Sequence, residues 1–446
     1  MARLHKGSNA CGDMATGLTS MPDTCTDIAD VVYLELSPVN SVSDSTTLPI
    51  EFYVKGTPEF YIDLSKTEIW FLVKVVHKDG TDLEEDENAG PVNLFPHAMI
   101  SQIDLYMNDE LVTKNSGLYA YRAYMETSMS YGHVAKHSWL ESSLYFADQH
   151  GDAFDQCDPA GVPINTGYLS RWKLTAQSKP VDMIFRPHLD MFMQHRPILQ
   201  NVDIRLKLTR TPAEFCLMSS TDKEYKVVIM QATLIVRTVK LNTPVVMEHK
   251  KSLEHNSKAL YPHRRVEMQS FTIPSGVLSH TRSNVVTGHL PRRVVVALTT
   301  NQAFNGVYSR SYCRFQPHGL IKINLLVNGR SLPANGYTPQ FTDKDGSGVQ
   351  CVRCFNALSS VCKMTHTDNG NAISRRAFED GYTMFAFMVF EDWSDESFGL
   401  VHEGNIQLEM RFGVATPEVL NTIVYCEYEN TLSIDKHGGV SLDYYA

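Results

Sequence analysis

The stretch Ile103-Asp104-Leu105-Tyr106-Met107-Asn108-Asp109 returns downstream as Ile323-Asn324-Leu325-Leu326-Val327-Asn328-Gly329, an offset of 323 − 103 = 220 residues. Each copy is an alternating apolar run that closes on a two-residue turn signal, Asn-Asp or Asn-Gly, the pattern of a strand entering a tight hairpin. Each also follows a Pro-His pair, Pro96-His97 and Pro317-His318. A second pair of blocks keeps the order: Asn201-Val202-Asp203-Ile204-Arg205-Leu206-Lys207-Leu208 is answered by Asn405-Ile406-Gln407-Leu408-Glu409-Met410-Arg411-Phe412, at 405 − 201 = 204. Two blocks in the same order imply one domain plan used twice, the first copy longer by 220 − 204 = 16 residues between the blocks. This predicts two large, similar β domains in tandem.

At 446 residues, with 43% hydrophobic and 20% charged side chains, the chain accommodates two sandwich-sized domains with sizeable cores. The formal net charge of −10 argues against a protein that coats nucleic acid by bulk electrostatics, which needs clustered lysine and arginine. Arg264-Arg265 and Arg292-Arg293 are the candidates for a local basic face, and each pair reads as the solvated end of a strand. Residues 1–26 are polar and lack the apolar core of a signal peptide. No apolar run approaches the roughly 18 residues of a membrane span. Nine cysteines scattered from Cys11 to Cys426 read as reduced thiols, made in a reducing compartment.

Residues 1–29 read as an N-terminal arm, 30–245 as the first domain and 246–446 as the second, with the polar run from Asn242 to Lys258 as linker. Strands are expected in the first half at 31–36, 50–54, 69–77, 103–109, 181–185, 202–208 and 227–241, and in the second at 266–273, 293–300, 320–327, 384–390, 406–412 and 422–434. Residues 80–90 read as an exposed acidic tip and 148–166 as a polar surface loop. One short helix is expected per half, at 118–127 and 349–361. Long strands with irregular connections and few helices predict an all-β fold: a double jelly roll, two tandem eight-stranded antiparallel sandwiches with short helices in the connections.

Candidate chemistry is sparse. Cys351, Cys354, Cys362 and His366 supply four soft ligands, but the spacing misses the usual paired pattern of a zinc site and matches a helix packing on a sheet. Asp343-Lys344-Asp345-Gly346-Ser347-Gly348 opens like a calcium loop and lacks the glutamate that would complete it. Glu391-Asp392 and Asp395-Glu396, flanking Trp393, pair carboxylates in what reads as a solvated loop. The 17 histidines form no recognised catalytic signature, and neither a nucleophile elbow nor a phosphate loop occurs. No residue is therefore assigned a catalytic, cofactor-binding or metal role.

The run Tyr119-Ala120-Tyr121-Arg122-Ala123-Tyr124-Met125-Glu126-Thr127, followed by Ser130-Tyr131-Gly132 and Ala135-Lys136, resembles the major capsid proteins of Polinton (Maverick) elements and adintoviruses. Residues 265–276, 290–306, 314–329 and 421–444 resemble the same family, so the likeness spans nearly the whole chain. It implies a double jelly-roll subunit that forms trimeric, pseudo-hexagonal capsomers in an icosahedral virion. Penton and minor capsid proteins would be its partners, and it would enclose double-stranded DNA without sequence-specific binding. The arm would tie neighbouring capsomers together. The competing reading is a tandem jelly-roll enzyme or a carbohydrate-binding protein, the latter presenting Trp139, Trp172 and Trp393 on one surface.

Overall fold

The computed structural model describes residues 21, 24–40, 48–85, 87–114, 116–221, 223–255, 257–341, 348–368, 370–391 and 398–443. The first half supplies β1 (Ile28–Leu36), β2 (Ile50–Val54), β3 (Tyr61–His77), β4 (Gly90–Pro91), β5 (Ile100–Met107), β6 (Glu110–Leu111), β7 (Val181–Phe185), β8 (Ile204–Arg210), β9 (Leu217–Met218) and β10 (Tyr225–Leu241). The second supplies β11 (Ala259–Ile273), β12 (Ser279–His289), β13 (Arg293–Thr300), β14 (Leu320–Val327), β15 (Arg330–Tyr337), β16 (Met384–Met388), β17 (Glu403–Phe412), β18 (Leu420–Ile434) and β19 (Val440–Leu442). Four longer helices connect them: α1 (Tyr119–Ser130), α2 (Thr166–Thr175), α3 (Thr243–Glu254) and α4 (Val352–Val361).

Each half stacks two antiparallel sheets. In the first the orders are β1-β10-β3-β7 and β2-β8-β5-β6; in the second, β11-β18-β13-β16 with β19 added on β18, and β12-β17-β14-β15. With β4 and β9 set aside as a separate small ladder, both halves follow one rule. The first strand pairs with the eighth, the second with the seventh, the third with the sixth and the fourth with the fifth. That is one long antiparallel hairpin rolled up on itself, a jelly roll, made twice. The strands alternate as a sheet with one buried face requires: Ile69, Phe71, Val73 and Val75 are fully buried while Trp70, Leu72 and Lys74 between them are partly exposed. Val294 to Leu298 are buried on both faces of β13 and read accordingly as a continuous apolar run.

The repeated stretch forms the tip of each rolled hairpin. Asn108 and Asp109 (φ 47° and 66°) turn β5 into β6, and Asn328 and Gly329 (φ 50° and 80°) turn β14 into β15, two left-handed residues in succession as a type I′ turn needs. The asparagine has a second task. Asn108 Oδ1 accepts from the Asp203 amide at 2.8 Å and its own amide donates to Asp203 O at 3.0 Å; Asn328 makes the same pair with Asn405 at 2.9 and 3.0 Å. The ladder β5–β8 aligns Met107 with Ile204, and β14–β17 aligns Val327 with Ile406. The true offset of the second block is thus 406 − 204 = 202, not 204. A slip of two leaves every side chain on its own face, so the sequence match looked sound while being displaced.

Other expectations need correction. The strands β12 and β15 lie outside the expected set because one is polar and the other carries Pro333 and Gly336; both are sheet edges, where neither feature is penalised. Helices are more numerous than one per half, α2 being capped by Asn165, whose side chain accepts from Tyr168 N at 3.2 Å. The polar linker is itself mostly helix α3. The acidic tip is only half exposed, since Leu83, Glu87 and Ala89 are buried and Glu87 meets His77 and Lys223. Of the arginine pairs only Arg264 is exposed, and it lies within β11 rather than at its end: Arg265 and Arg292 are 7% exposed, and Arg293 is bound to Glu427. Residues 148–166, expected on the surface, hold buried Asp148, Phe154, Cys157 and Asn165.

Candidate functional site

The tyrosine-rich helix α1 lies in the connection between the fifth and sixth strands of the first roll, and α4 occupies the same place in the second. Every residue of α1 from Tyr119 to Met129 is buried. Tyrosines on more than one side of a helix suit a helix enclosed all round. Tyr121 stacks on Phe304 at 5.7 Å and meets Tyr312 edge-on at 5.5 Å, while Tyr124 meets Phe315 at 5.7 Å. Phe304, Tyr312 and Phe315 all belong to the second half. The helix is therefore a wedge of the first roll driven into the second, and burial lifts the hydroxyls of Tyr121 and Tyr124 well above their ordinary pKa.

The segment 148–166 clasps the same seam. Asp155 binds Arg314 at 2.7 Å and accepts from the Ser311 amide at 2.9 Å; Arg314 continues to Asp380 at 3.2 Å; Tyr382 donates to Asp148 O at 2.9 Å. Gly381 (φ 115°) allows this approach, since a Cβ there would stand 2.7 Å from the Phe154 ring. Lys136 is buried with no carboxylate partner among the described residues and donates to Ser128 O (3.0 Å) and to Asn371 O across the seam (2.6 Å); burial holds its amine down to about 7.

At the charged end of the seam, Arg122 binds Glu126 (2.9 Å) and Asp190 (2.6 Å), His188 binds the other oxygen of Glu126 (2.6 Å), and Asp190 accepts from the Val266 amide of β11 (3.2 Å). Burial pushes the Glu126 carboxyl up, but Arg122 and the His188 hydrogen bond outweigh it and hold the group at about 2. Next to this network opens a cleft of ≈ 680 Å³ lined by residues of both rolls.

Among the described residues two edges that match this seam are uncovered. Inside the chain, the segment after β7 docks on β11, with Leu199 N donating to Tyr261 Oη at 3.0 Å and Arg196 to Leu260 O at 2.8 Å. Among the described residues β1 has no neighbour on its outer side, and Ile28, Tyr33 and Leu34 are 45, 58 and 40% exposed. Beyond β16, the counterpart of β7, Phe398, Leu400 and Val401 are 53, 85 and 50% exposed. Sequence reasoning could not find these, because an apolar edge strand reads like any other strand until its neighbours are known.

The residues singled out for chemistry do not converge. Cys351 and Cys362 flank α4 at opposite ends, about 16 Å apart at the rise of a helix, with Cys354 buried between them on its inner face. Burial lifts the thiols of Cys354 and Cys362 to about 12 and 11. Among the described residues no group of three or more His, Cys, Asp or Glu is placed to hold a metal ion. The calcium-like loop and Asp392 to Glu396, with Trp393, fall outside the described residues, as does most of the arm. Trp139 is 55% exposed and packs edge-on with Tyr131, whereas Trp172 is partly buried and donates to Glu87 O. The eight cysteines within the described residues are all free, and no helix there is long and apolar enough to cross a membrane.

Two jelly rolls of identical winding in one chain define the class: this is a double jelly-roll protein. The same fold, over nearly the whole length, occurs in a chain of the Sputnik virophage (12% identity, TM-score 0.66, 99% of this chain and 94% of that one). It recurs in the mavirus major capsid protein (11%, 0.53, 99% and 96%) and the PBCV-1 virus capsid (9%, 0.54, 96% and 100%). By sequence, the chain is 23% identical over 402 residues to an uncharacterized protein of Caenorhabditis elegans, covering 87% of this chain and 91% of that protein. No protein-family model matches.

Proposed function

We propose that the chain is a major capsid protein, whose copies form trimeric pseudo-hexagonal capsomers that tile an icosahedral shell, of the Polinton (Maverick) and adintovirus kind. The observation that carries this reading is the bare counterpart of the internal seam. Within one chain the segment after the sixth strand of one roll covers the first strand of the next. The apolar residues exposed after β16 and along β1 are the two halves of the same contact, offered to neighbouring copies. A contact of this head-to-tail type closes into a ring when its rotation divides the circle, and two rolls in each of three chains supply six similar wedges. The fold shared with viral capsid proteins supports the role, which is structural rather than catalytic.

The remaining parts follow from that role. The chain divides into an arm (1–29) and two rolls (30–245 and 246–446), takes penton and minor capsid proteins as partners, encloses double-stranded DNA without reading its sequence, and resides in the virion after synthesis in a reducing compartment. Light scattering on the purified chain tests the reading. A species of three times the 50.2 kDa chain, hexagonal in negative stain, is expected. A monodisperse monomer at micromolar concentration overturns it.

A further inference from the structure

The cleft at the charged end of the seam is cationic in a chain whose net charge is −10. Its lining includes Arg122, Arg186, Arg196, Arg264 and Arg293 against Glu126 and Glu427, together with His188, His195 and His263. Most of that charge is compensated: Arg122 by Glu126 and Asp190, and Arg293 and Arg264 by Glu427. Two guanidiniums are left over. Arg186, partly buried, donates to Ser65 O (3.3 Å), Tyr131 Oη (3.4 Å) and Met193 Sδ (3.3 Å); Arg196 donates to Leu260 O (2.8 Å). Among the described residues neither has a carboxylate. The neutral acceptors on Arg186 are long and hold the side chain without neutralising it, and His195 stands exposed next to Arg196.

An uncompensated arginine pair at a concave, partly dehydrated site attracts a multivalent oxyanion, because a guanidinium matches two oxygens of a phosphate at once and because the walls reduce screening. We infer that this cleft, lined by both rolls, binds a phosphate-bearing anion through Arg186 and Arg196, both on the segment after β7. The inference does not depend on capsid assembly, since both arginines belong to one chain and the cleft is complete within it. A bound anion would neutralise the pair and favour the folded chain that binds it, so its presence is expected to raise the thermal midpoint.

The test uses the full-length protein with inorganic pyrophosphate as probe, at constant ionic strength set with chloride. Calorimetric titration is expected to give about one site per chain, and scanning fluorimetry a rise in midpoint that chloride does not produce. The Arg196→Gln variant, altered only at an exposed side chain, is expected to fold normally and weaken binding at least about tenfold, Arg186→Gln more so, and Arg186→Lys to recover part of the loss. Arg411→Gln, on β17 and outside the cleft lining, is the control and is expected to bind as the parent does. A short single-stranded oligonucleotide that displaces pyrophosphate assigns the site to nucleic-acid phosphate; failure to displace assigns it to a free small anion. No binding at millimolar pyrophosphate, or equal binding by Arg196→Gln and the parent, overturns the inference.

Discussion

Asn108 and Asn328 hold the same position in two turns 220 residues apart and do the same two things, adopting a left-handed backbone and clamping the amide of the seventh strand. A side chain that closes a part-buried hydrogen bond contributes about 1 kcal/mol, and its loss exposes a donor with no substitute. Asn108→Ala is therefore expected to cost about 1–2 kcal/mol in denaturant unfolding, and Asn328→Ala less, because its bond to the Asn405 amide is exposed and water can replace it. The first turn also ends in Asp109 where the second has Gly329, so Asp109→Gly removes a left-handed Cβ and is expected to gain up to about 1 kcal/mol. Lys136 gives a pH signature instead. Its amine titrates at about 7 when folded and near 10.5 when exposed, so below 7 both states hold the proton and the buried charge opposes folding. Above 7 the folded chain releases the proton while the unfolded chain keeps it, and stability rises with pH until about 10.5. The stability of the parent minus that of Lys136→Met, followed by urea unfolding from pH 6 to 10, is expected to climb; a flat difference would show that the amine is not buried as described.

The element that joins the two rolls is α1, and its aromatic side chains touch the second roll rather than the core of the first alone. Truncating such a side chain in a close-packed site costs about 3–5 kcal/mol. For Tyr121→Ala and Tyr124→Ala the loss falls on the seam, so scanning calorimetry is expected to resolve two transitions where the parent shows one; a lone transition shifted downward would place the aromatic cluster in a single cooperative core. How elements such as this appear in the sequence explains what could be read. Central strands such as β10 and β13 announce themselves because burial on one or both faces fixes their pattern. The edges β6, β12 and β15 do not, because half their neighbours are water and polar residues, proline and glycine are tolerated there. The repeat at 103 and 323 was legible because its turn chemistry is local. The seam was not: α1 reads as a short helix of unspecified partner, and Asp155 with Arg314 are 159 residues apart with nothing in either neighbourhood to pair them.

At the scale of the whole molecule, a ring built head to tail has a property that a two-fold dimer lacks: each subunit contributes two different surfaces, and spoiling one leaves the other intact. Tyr33 and Leu34 stand on one surface, Leu400 and Val401 on the other. A charge at the centre of an apolar contact is costly to desolvate without a partner. Leu34→Glu alone and Leu400→Glu alone are each expected to prevent ring closure, because every junction in the proposed ring pairs a β1 face with a 400 face. Mixing the two variants restores one combination, the unaltered 400 face of the first against the unaltered β1 of the second. That junction cannot propagate, since the outer faces of the pair are the two altered ones. Light scattering is therefore expected to show monomers for each variant alone and a heterodimer of twice 50.2 kDa for the mixture, with no trimer. Trimers in either single variant would mean that β1 and the residues after β16 do not meet, and the ring would have to be built from other faces.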